Sequence, residues 1–242
     1  TLFIGGGTPS LFSAEAIRQL LQGVAGLVPL SPTLEATMEA NPGSAEADKF
    51  AAFRAAGITR LSLGIQSFDD GRLQALGRIH NSDQARAAIE FAAAAGFDSF
   101  NIDLMHGLPG QDLTAAESDL SSALAYDPPH LSWYQLTIEP NTVFHKRPPA
   151  LPVEDELADI QHRGEQLLAR SGYQQYEVSA YSKPGFSCRH NRNYWAFGDY
   201  LGIGAGAHGK VSFADGRVQR YAKKRQPGEY LATGPGDFTA SR

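Results

Sequence analysis

The stretch Ile58-Thr59-Arg60-Leu61-Ser62-Leu63-Gly64-Ile65-Gln66 alternates apolar and polar residues, with both leucines on one side. An alternation of period two is typical of a β-strand with one buried face. A helix is predicted before this strand at 48–56, where Gly57 ends the helical pattern, and another is predicted after it at 82–95. The stretch therefore predicts a strand that lies between two helices.

The same succession of strand and helix extends in both directions along the chain. The further predicted elements are strands at 1–4, 34–39, 99–105 and 131–137 and helices at 13–28 and 114–125. Strands that alternate with helices form a parallel sheet, either an open doubly wound sheet or a (β/α) barrel. The barrel is favoured because no dinucleotide fingerprint is present and each strand ends in a polar or glycine signature, where barrel enzymes place their sites.

The pattern changes after residue 137. Prolines interrupt the stretch 140–153, a helix is predicted at 155–171, and residues 172–216 are rich in aromatic residues and glycine. We therefore expect an α/β barrel domain at 1–139, a linker at 140–153 and a smaller, strand-rich carboxyl-terminal region at 154–242.

Composition restricts the class of protein. The 242 residues are 42% hydrophobic and 19% charged, as in an ordinary globular protein. The net charge of −5 argues against nucleic-acid binding, and the apolar runs are shorter than the ~20 residues of a membrane helix. One cysteine and no signal-peptide pattern indicate the cytoplasm. Because the chain opens in an apolar run without Met, we expect a fragment of a longer protein.

Polar and glycine residues follow the predicted strands. Gly5-Gly6-Gly7-Thr8-Pro9-Ser10 lies between a strand and a helix, where glycines allow a ligand to approach the backbone; a tight turn without a ligand is equally compatible. The polar residues at or just beyond the predicted strand ends are Glu39, Gln66, Arg78 and Asp103. Carboxylates in this position can accept hydrogen bonds from sugar hydroxyls, and an arginine can pair with a ligand carboxylate. The alternative is that the acids only cap helices or pair with surface arginines.

The carboxyl-terminal region contains side chains that can ligate a metal: Cys188, His190 and His208. Their spacing is not that of a zinc site. A buried cysteine and a hydrogen-bonded core histidine are the structural alternatives. His190 beside Tyr194 and Trp195 suits a flat aromatic ligand such as a porphyrin, with imidazole as axial ligand and the Cys188 thiolate as the alternative iron ligand.

Six separated motifs resemble the radical SAM enzymes of the oxygen-independent coproporphyrinogen III oxidase group. They are Gly5-Gly6-Gly7-Thr8-Pro9-Ser10, Glu39-Ala40-Asn41-Pro42, Leu63-Gly64-Ile65-Gln66-Ser67-Phe68, Leu76-Gly77-Arg78-Ile79-His80, Asn101-Ile102-Asp103-Leu104-Met105-His106-Gly107-Leu108-Pro109 and Ser132-Trp133-Tyr134-Gln135-Leu136. Within that group, the stretches 190–195 and 202–209 resemble the haem chaperones rather than the oxidases.

The resemblance implies a partial (β/α)6, TIM-like barrel of the radical SAM type, without the first βα unit, in which S-adenosylmethionine (SAM) and a 4Fe-4S cluster meet at the mouth. It implies that SAM is bound by Gly6, Gly7, Thr8, Glu39, Gln66, Arg78, Asp103, Gln135 and His208, and haem by His190, Tyr194 and Trp195. It further implies delivery of haem to acceptor proteins, with transient membrane association through those acceptors. The alternative activity is oxidative decarboxylation of coproporphyrinogen III in porphyrin biosynthesis, and a third, weaker alternative is a barrel that binds a phosphate metabolite.

The chain departs from the group at the iron–sulfur cluster. The group holds its cluster with three cysteines in a C-x3-C-x2-C loop ahead of the triple-glycine motif, and Cys188 is the single cysteine here. We therefore expect the cluster ligands upstream of Thr1 and a carboxyl-terminal region that is also incomplete.

Overall fold

The computed structural model describes residues 1–44, 47–234 and 239–241. The chain forms two compact units, Thr1–His190 and Asn191–Arg242. Residues 45–46 of the predicted region 1–139, and residues 235–238 and 242 of the predicted region 154–242, lie outside the described residues. Among the helices of the described ranges, none combines the length and the apolarity needed to cross a membrane.

A seven-stranded sheet forms the centre of the first unit. Its first five strands, in chain order, are β1 (Leu2–Ile4), β2 (Ala36–Ala40), β3 (Arg60–Gln66), β4 (Ser99–His106) and β5 (His130–Gln135). Each pairs with the next in parallel register. The intervening helices are α1 (Ala14–Leu27), α2 (Ala47–Ala56), α3 (Asp70–Ala75), α4 (Ser82–Ala94) and α5 (Leu113–Leu124). The five parallel strands and their crossover helices confirm the predicted α/β fold.

Local signals in the sequence set the helix ends. The Ser13 hydroxyl accepts from the backbone N–H of Ala16 at the start of α1, and Asn81 forms a capping box with Gln84 at the start of α4. These contacts satisfy N–H groups that have no partner inside the helix. At the carboxyl ends of α2 and α4, Gly57 and Gly96 have φ of 112° and 73°, which favours glycine.

The two faces of the parallel sheet differ in character. On β3, Leu61, Leu63 and Ile65 are buried in the hydrophobic core, together with residues of the helices. The alternate residues of β3 to β5 point to the opposite face. These are Arg60, Ser62, Gly64, Gln66, Asn101, Asp103, His130, Ser132 and Tyr134. Strand alternation therefore gives the sheet one apolar face toward the helices and one polar face that is available for a site.

The segment after β5 also belongs to the first unit. It contains α6 (Val143–Lys146), α7 (Glu154–Arg170), β6 (Gln174–Glu177) and β7 (Ala180–Ser182). Strand β7 pairs antiparallel with β5, and β6 pairs antiparallel with β7. The first compact unit thus continues through the residues predicted as a linker, 140–153, and ends at His190, with β6 and β7 extending the main sheet.

The second unit contains a small antiparallel sheet. Its elements are the last part of α8 (Arg189–Trp195), β8 (His208–Ser212), β9 (Val218–Lys223), α9 (Pro227–Leu231) and β10 (Thr239–Ser241), with the strand order β10-β9-β8. The buried Lys210 amine donates to Asp199 Oδ1 at 2.8 Å and to the Phe197 carbonyl at 2.9 Å. This ion pair, in which the lysine is buried and the aspartate is partly exposed, ties the loop before β8 to the sheet.

Candidate functional site

A cavity of about 280 Å³ lies on the polar face, where the parallel strands end. It is lined by Gly7, Thr8, Pro9, Glu39, Ala40, Asn41, Ser62, Gly64, Gln66, Arg78, Asp103 and Tyr134. These residues come from loops and strand ends far apart in sequence. Convergence at the carboxyl ends of parallel strands is the arrangement that β/α folds use for ligand sites.

The glycine loop encloses the Glu39 carboxylate. The Gly6 N–H donates to Glu39 Oε2 at 3.0 Å, and Gly6 and Gly7 have φ of 82° and 62°. A Cβ at Gly5 would lie 2.9 Å from the carboxyl carbon of Glu39, so the loop approaches this side chain as closely as glycine permits. Gly6 and Gly7 therefore allow the backbone conformation of the loop, and a side chain at Gly5 would displace the Glu39 carboxylate.

The end of β3 has an unusual backbone conformation. Gln66 has φ of 72°, a left-handed conformation uncommon outside glycine, and its Oε1 accepts from the Tyr134 hydroxyl at 2.7 Å. Arg78 Nη2 donates to the Gly64 carbonyl at 3.3 Å. Backbone strain of this kind clusters at functional sites. The bend directs the Gln66 amide into the cavity, beside the Arg78 guanidinium.

Asp103 is held by donors on its own strand, β4, and on the neighbouring strand β3. Its Oδ1 accepts from Asn101 Nδ2 at 2.7 Å, and its Oδ2 accepts from the Ser62 hydroxyl at 3.2 Å. Burial raises the pKa of Asp103 above its ordinary value despite these hydrogen bonds. The pKa of Glu39 is raised as well, mainly by burial and also by the negative charge of Asp103. The cavity thus holds two acceptor carboxylates that water solvates poorly.

Six of the residues predicted to bind SAM line this cavity: Gly7, Thr8, Glu39, Gln66, Arg78 and Asp103. Gly6 adjoins it through its hydrogen bond to Glu39. Gln135 is exposed and follows Tyr134 on β5, so it points to the other face of the sheet. His208 is exposed at the start of β8 in the second unit, and its assignment stays a prediction.

Several residues that line the cavity were not predicted from the sequence as site residues, notably Asn41, Ser62 and Tyr134. Tyr134 has its pKa raised to about 12, mainly by burial. Ser62 and Tyr134 share a sheet face with Gln66 and Asp103, so extending the alternation of period two along β3 and β5 would have found them. Asn41 Nδ2 donates to Thr8 Oγ1 at 3.3 Å in the loop after β2, where no periodic signal exists.

The predicted haem residues lie on and beside α8. Cys188 is buried, and its thiol donates to Glu35 Oε1 at 3.5 Å. His190 is half-buried, stacks on the Phe3 ring at 4.7 Å between centroids, and donates its backbone N–H to Glu35 Oε1 at 3.2 Å. Burial lowers the pKa of His190, which favours the neutral imidazole that binds iron.

Tyr194 and Trp195 lie farther along α8, in the second unit. Trp195 is 61% exposed, and the Tyr194 ring lies 4.6 Å from the Tyr200 ring. His190 is the last residue of the first unit, and the assignment of Tyr194 and Trp195 to haem stays a prediction. Among the residues that the structure describes, no group of three or more His, Cys, Asp or Glu side chains is placed to hold a metal ion.

Comparison with known proteins gives concordant results. Residues 1–120 match the model of the Radical SAM superfamily. The chain is 57% identical over 231 residues to the heme chaperone HemW of Escherichia coli and 56% identical to that of Haemophilus influenzae, covering 96% of this chain in both. It spans 61% and 60% of the lengths of those two curated relatives.

Structural comparison indicates the same fold. The structure of coproporphyrinogen III oxidase (HemN) from Escherichia coli aligns with a TM-score of 0.81 at 23% identity, over 99% of this chain and 58% of that chain. That protein is itself described as a radical SAM enzyme. The parallel sheet, the cavity at its strand ends, the matched residues and the similar relatives agree. Residues 1–120 of the chain are a domain of the Radical SAM superfamily.

Proposed function

We propose that the cavity binds SAM. The supporting observation is the pairing of the glycine loop with Glu39 and Asp103, because backbone donors suit a carboxylate and acidic side chains suit ribose hydroxyls. Gly6, Gly7 and Thr8 face the methionyl end, and Glu39, Gln66, Arg78, Asp103 and Tyr134 follow the rest of the ligand. Tyr134 takes the place that the sequence suggested for Gln135. SAM supplies a reactive sulfonium when bound, and these residues bind and orient it.

Calorimetric titration of SAM into the wild-type chain and the Glu39→Ala variant tests this site. Glu39→Ala removes acceptors for buried hydroxyls, so SAM binding should weaken by about 1–3 kcal/mol. Glu15→Ala, on the exposed surface of α1, is the matched control and should leave the affinity unchanged. Equal SAM affinity in the wild type and Glu39→Ala would remove Glu39 from the site.

The residues of this chain do not fit a 4Fe-4S cluster, which the superfamily implies. Such a cluster needs three or four thiolates, and Cys188 is the single cysteine of the sequence. Cys188 is also buried against Glu35. No step of the proposed function is therefore assigned to a cluster held by this chain.

We infer that the protein is a haem chaperone that binds haem and passes it to haem-accepting proteins in the cytoplasm, with transient membrane association through those acceptors. Support comes from the relatives more than half identical, which are named heme chaperones. The oxidase alternative has weaker support, because HemN is 23% identical and its likeness concerns the fold. The residues we propose to bind haem are His190, Tyr194 and Trp195.

Haem titration distinguishes the two proposed iron ligands. The His190→Ala variant should lose the shifted Soret band, whereas Cys188→Ala should keep most of it, because a thiol with a usual pKa of ~8.5 is mostly protonated near neutral pH. Tyr194→Ala should weaken haem binding without shifting the band. If His190→Ala keeps the band and Cys188→Ala loses it, the ligand is Cys188.

A further inference from the structure

A continuous line of hydrogen bonds runs inside the first unit from the cavity to the start of α8. Asn101 Nδ2 lies 2.7 Å from Asp103 Oδ1, and Asn101 Oδ1 lies 2.6 Å from His130 Nδ1. His130 Nε2 lies 2.6 Å from the Tyr176 hydroxyl, whose oxygen accepts from the backbone N–H of Cys188 at 3.2 Å. Three side chains, those of Asn101, His130 and Tyr176, thus connect Asp103 to the residue that precedes α8.

The chemistry of the groups fixes the direction of every bond in this line. A carboxylate accepts hydrogen bonds, so Asp103 orients the Asn101 amide with Nδ2 toward itself and Oδ1 toward His130. His130 must then donate from Nδ1, which leaves Nε2 to accept from Tyr176. Burial holds the pKa of His130 well below its usual value, so the ring is neutral and carries one N–H. The line therefore requires a single tautomer of His130, with its proton on Nδ1.

The two ends of the line belong to different parts of the proposed function. Asp103 lines the cavity proposed for SAM. Cys188 precedes α8, and the backbone N–H groups of Arg189 and His190 both donate to Glu35 at 3.2 Å. His130 lies fully buried between these ends. A buried polar network with every member satisfied is rigid and sensitive to the loss of any donor or acceptor.

We propose that His130 is a positioning residue that orients the Asp103 carboxylate through Asn101 and holds the segment entering α8 through Tyr176. The first of these roles rests on the proposed SAM site; the second does not. One ring performs both tasks because its two nitrogens are used in opposite senses, Nδ1 as donor and Nε2 as acceptor. Replacing one nitrogen at a time therefore separates the two roles.

Two matched variants make that separation. In His130→Asn the amide nitrogen takes the position of Nδ1, so the bond to Asn101 is kept and the bond from Tyr176 is lost. In His130→Gln the amide oxygen takes the position of Nε2, so the bond from Tyr176 is kept and the bond to Asn101 is lost. SAM affinity reports the Asp103 side. The reaction rate of Cys188, the single thiol of the chain, with a disulfide reagent reports the α8 side.

We expect His130→Asn to keep the SAM dissociation constant within about twofold and to speed Cys188 labelling about fivefold, as loss of one buried hydrogen bond predicts. His130→Gln should weaken SAM about fivefold and leave labelling within about twofold. Tyr176→Phe should reproduce the labelling of His130→Asn. The proposal is overturned if both His130 variants change both measurements together, or if neither variant changes either.

Nitrogen-15 NMR of the wild-type chain with isotope-labelled histidines adds a test that does not depend on the folding of any variant. His130 should show the neutral Nδ1–H tautomer at neutral pH, and the Nε2–H tautomer would overturn the proposal. If the wild type does not bind SAM, the proposed function fails. The labelling and the tautomer then still decide whether His130 holds the segment entering α8.

Discussion

Gly64 gives two polar side chains of the cavity the room they occupy. A Cβ at this position would lie 3.0 Å from Arg78 Nη2 and 3.1 Å from Asn41 Oδ1. Gly64→Ala should therefore displace both side chains and weaken SAM binding about tenfold, or ~1.4 kcal/mol. Calorimetry measures the affinity, and thermal unfolding checks that the variant keeps its fold. An unchanged dissociation constant in a folded variant would contradict this role for Gly64.

Asp103 should make the stability of the chain depend on pH. Burial raises the pKa of Asp103 in the folded state. The contribution of Asp103 to the free energy of unfolding is therefore fully present below the ordinary pKa of ~3.9 and is lost as pH rises through the raised value. Asp103→Asn removes this titration, so its free energy of unfolding should fall less between pH 4 and pH 8 than that of the wild type. SAM binding should weaken in the same variant.

Urea unfolding at several pH values between 4 and 8 measures how steeply the free energy of unfolding falls with pH in each protein. Asp98→Asn changes an exposed carboxylate that pairs with Arg54 on the surface, and it serves as the control. Its curve should run parallel to that of the wild type, because exposed ion pairs contribute about 0–1 kcal/mol. If the Asp103→Asn curve is also parallel, the buried carboxylate does not set the pH dependence.

At the residue scale, the sequence predicts the site where a strand pattern can be followed. Glu39 and Gln66 stand at the ends of β2 and β3, Asp103 lies within β4, and the structure brings all three into one cavity. Gln135 was chosen by motif, whereas the alternation along β5 assigns Tyr134 to the cavity face. The left-handed backbone of Gln66 has no local sequence signal, and the Tyr134 hydroxyl that donates to its side chain is far away in the sequence.

At the scale of elements, α7 packs on β5 through Gly164. A Cβ at this position would overlap the Trp133 ring, although Gly164 lies in a helix interior where alanine is intrinsically favoured. Gly164→Ala should therefore destabilise the chain by about 1–3 kcal/mol, as overpacking of a core does. Urea unfolding of the wild type and of Gly164→Ala measures this difference in the free energy of unfolding.

Gly23→Ala is the matched control for this packing. Gly23 also lies in a helix interior, on α1, but a Cβ there would meet no atom within 4 Å among the residues that the structure describes. Alanine should then stabilise the chain by about 0.5–1 kcal/mol through helix propensity. If Gly164→Ala lowers the free energy of unfolding and Gly23→Ala raises it, packing on Trp133 is the cause. A change of the same sign in both variants would contradict this explanation.

Helix ends are predictable from sequence because their signals are local, as the capping of α1 by Ser13 and of α4 by Asn81 shows. The partner of a strand is not local. The sequence pattern predicts a separate region from residue 154 onward, yet β7 of that region pairs with β5, more than forty residues earlier in the chain. Proline-rich sequence at 140–153 marks an irregular connection, but it carries no information on which sheet the chain rejoins.

For the whole molecule, the cysteine count limits the cofactors that the chain holds by itself. After anaerobic incubation with iron and sulfide, the chain should contain no stoichiometric 4Fe-4S cluster, because Cys188 is its single thiol and such clusters take three or four. Iron and sulfide analysis with the absorption near ~400 nm measures the content. A stable cluster at one per chain would refute this expectation.

The two compact units lead to a prediction about truncation. The buried hydrophobic cluster runs from Ile17 to Tyr181, and all residues lining the cavity precede residue 135. Glu35 accepts from the backbone N–H groups of Arg189 and His190, so a chain ending at residue 190 keeps these contacts. We expect the 1–190 chain to fold alone and to bind SAM within about twofold of the full chain, since each domain with its own core folds independently.

A chain ending at residue 172 is the control, because it removes β6 and β7 and leaves the edge of β5 unpaired. Circular dichroism and calorimetry should show a folded, SAM-binding 1–190 chain and a destabilised 1–172 chain; an unfolded 1–190 chain would mean that the second unit is needed for the first to fold.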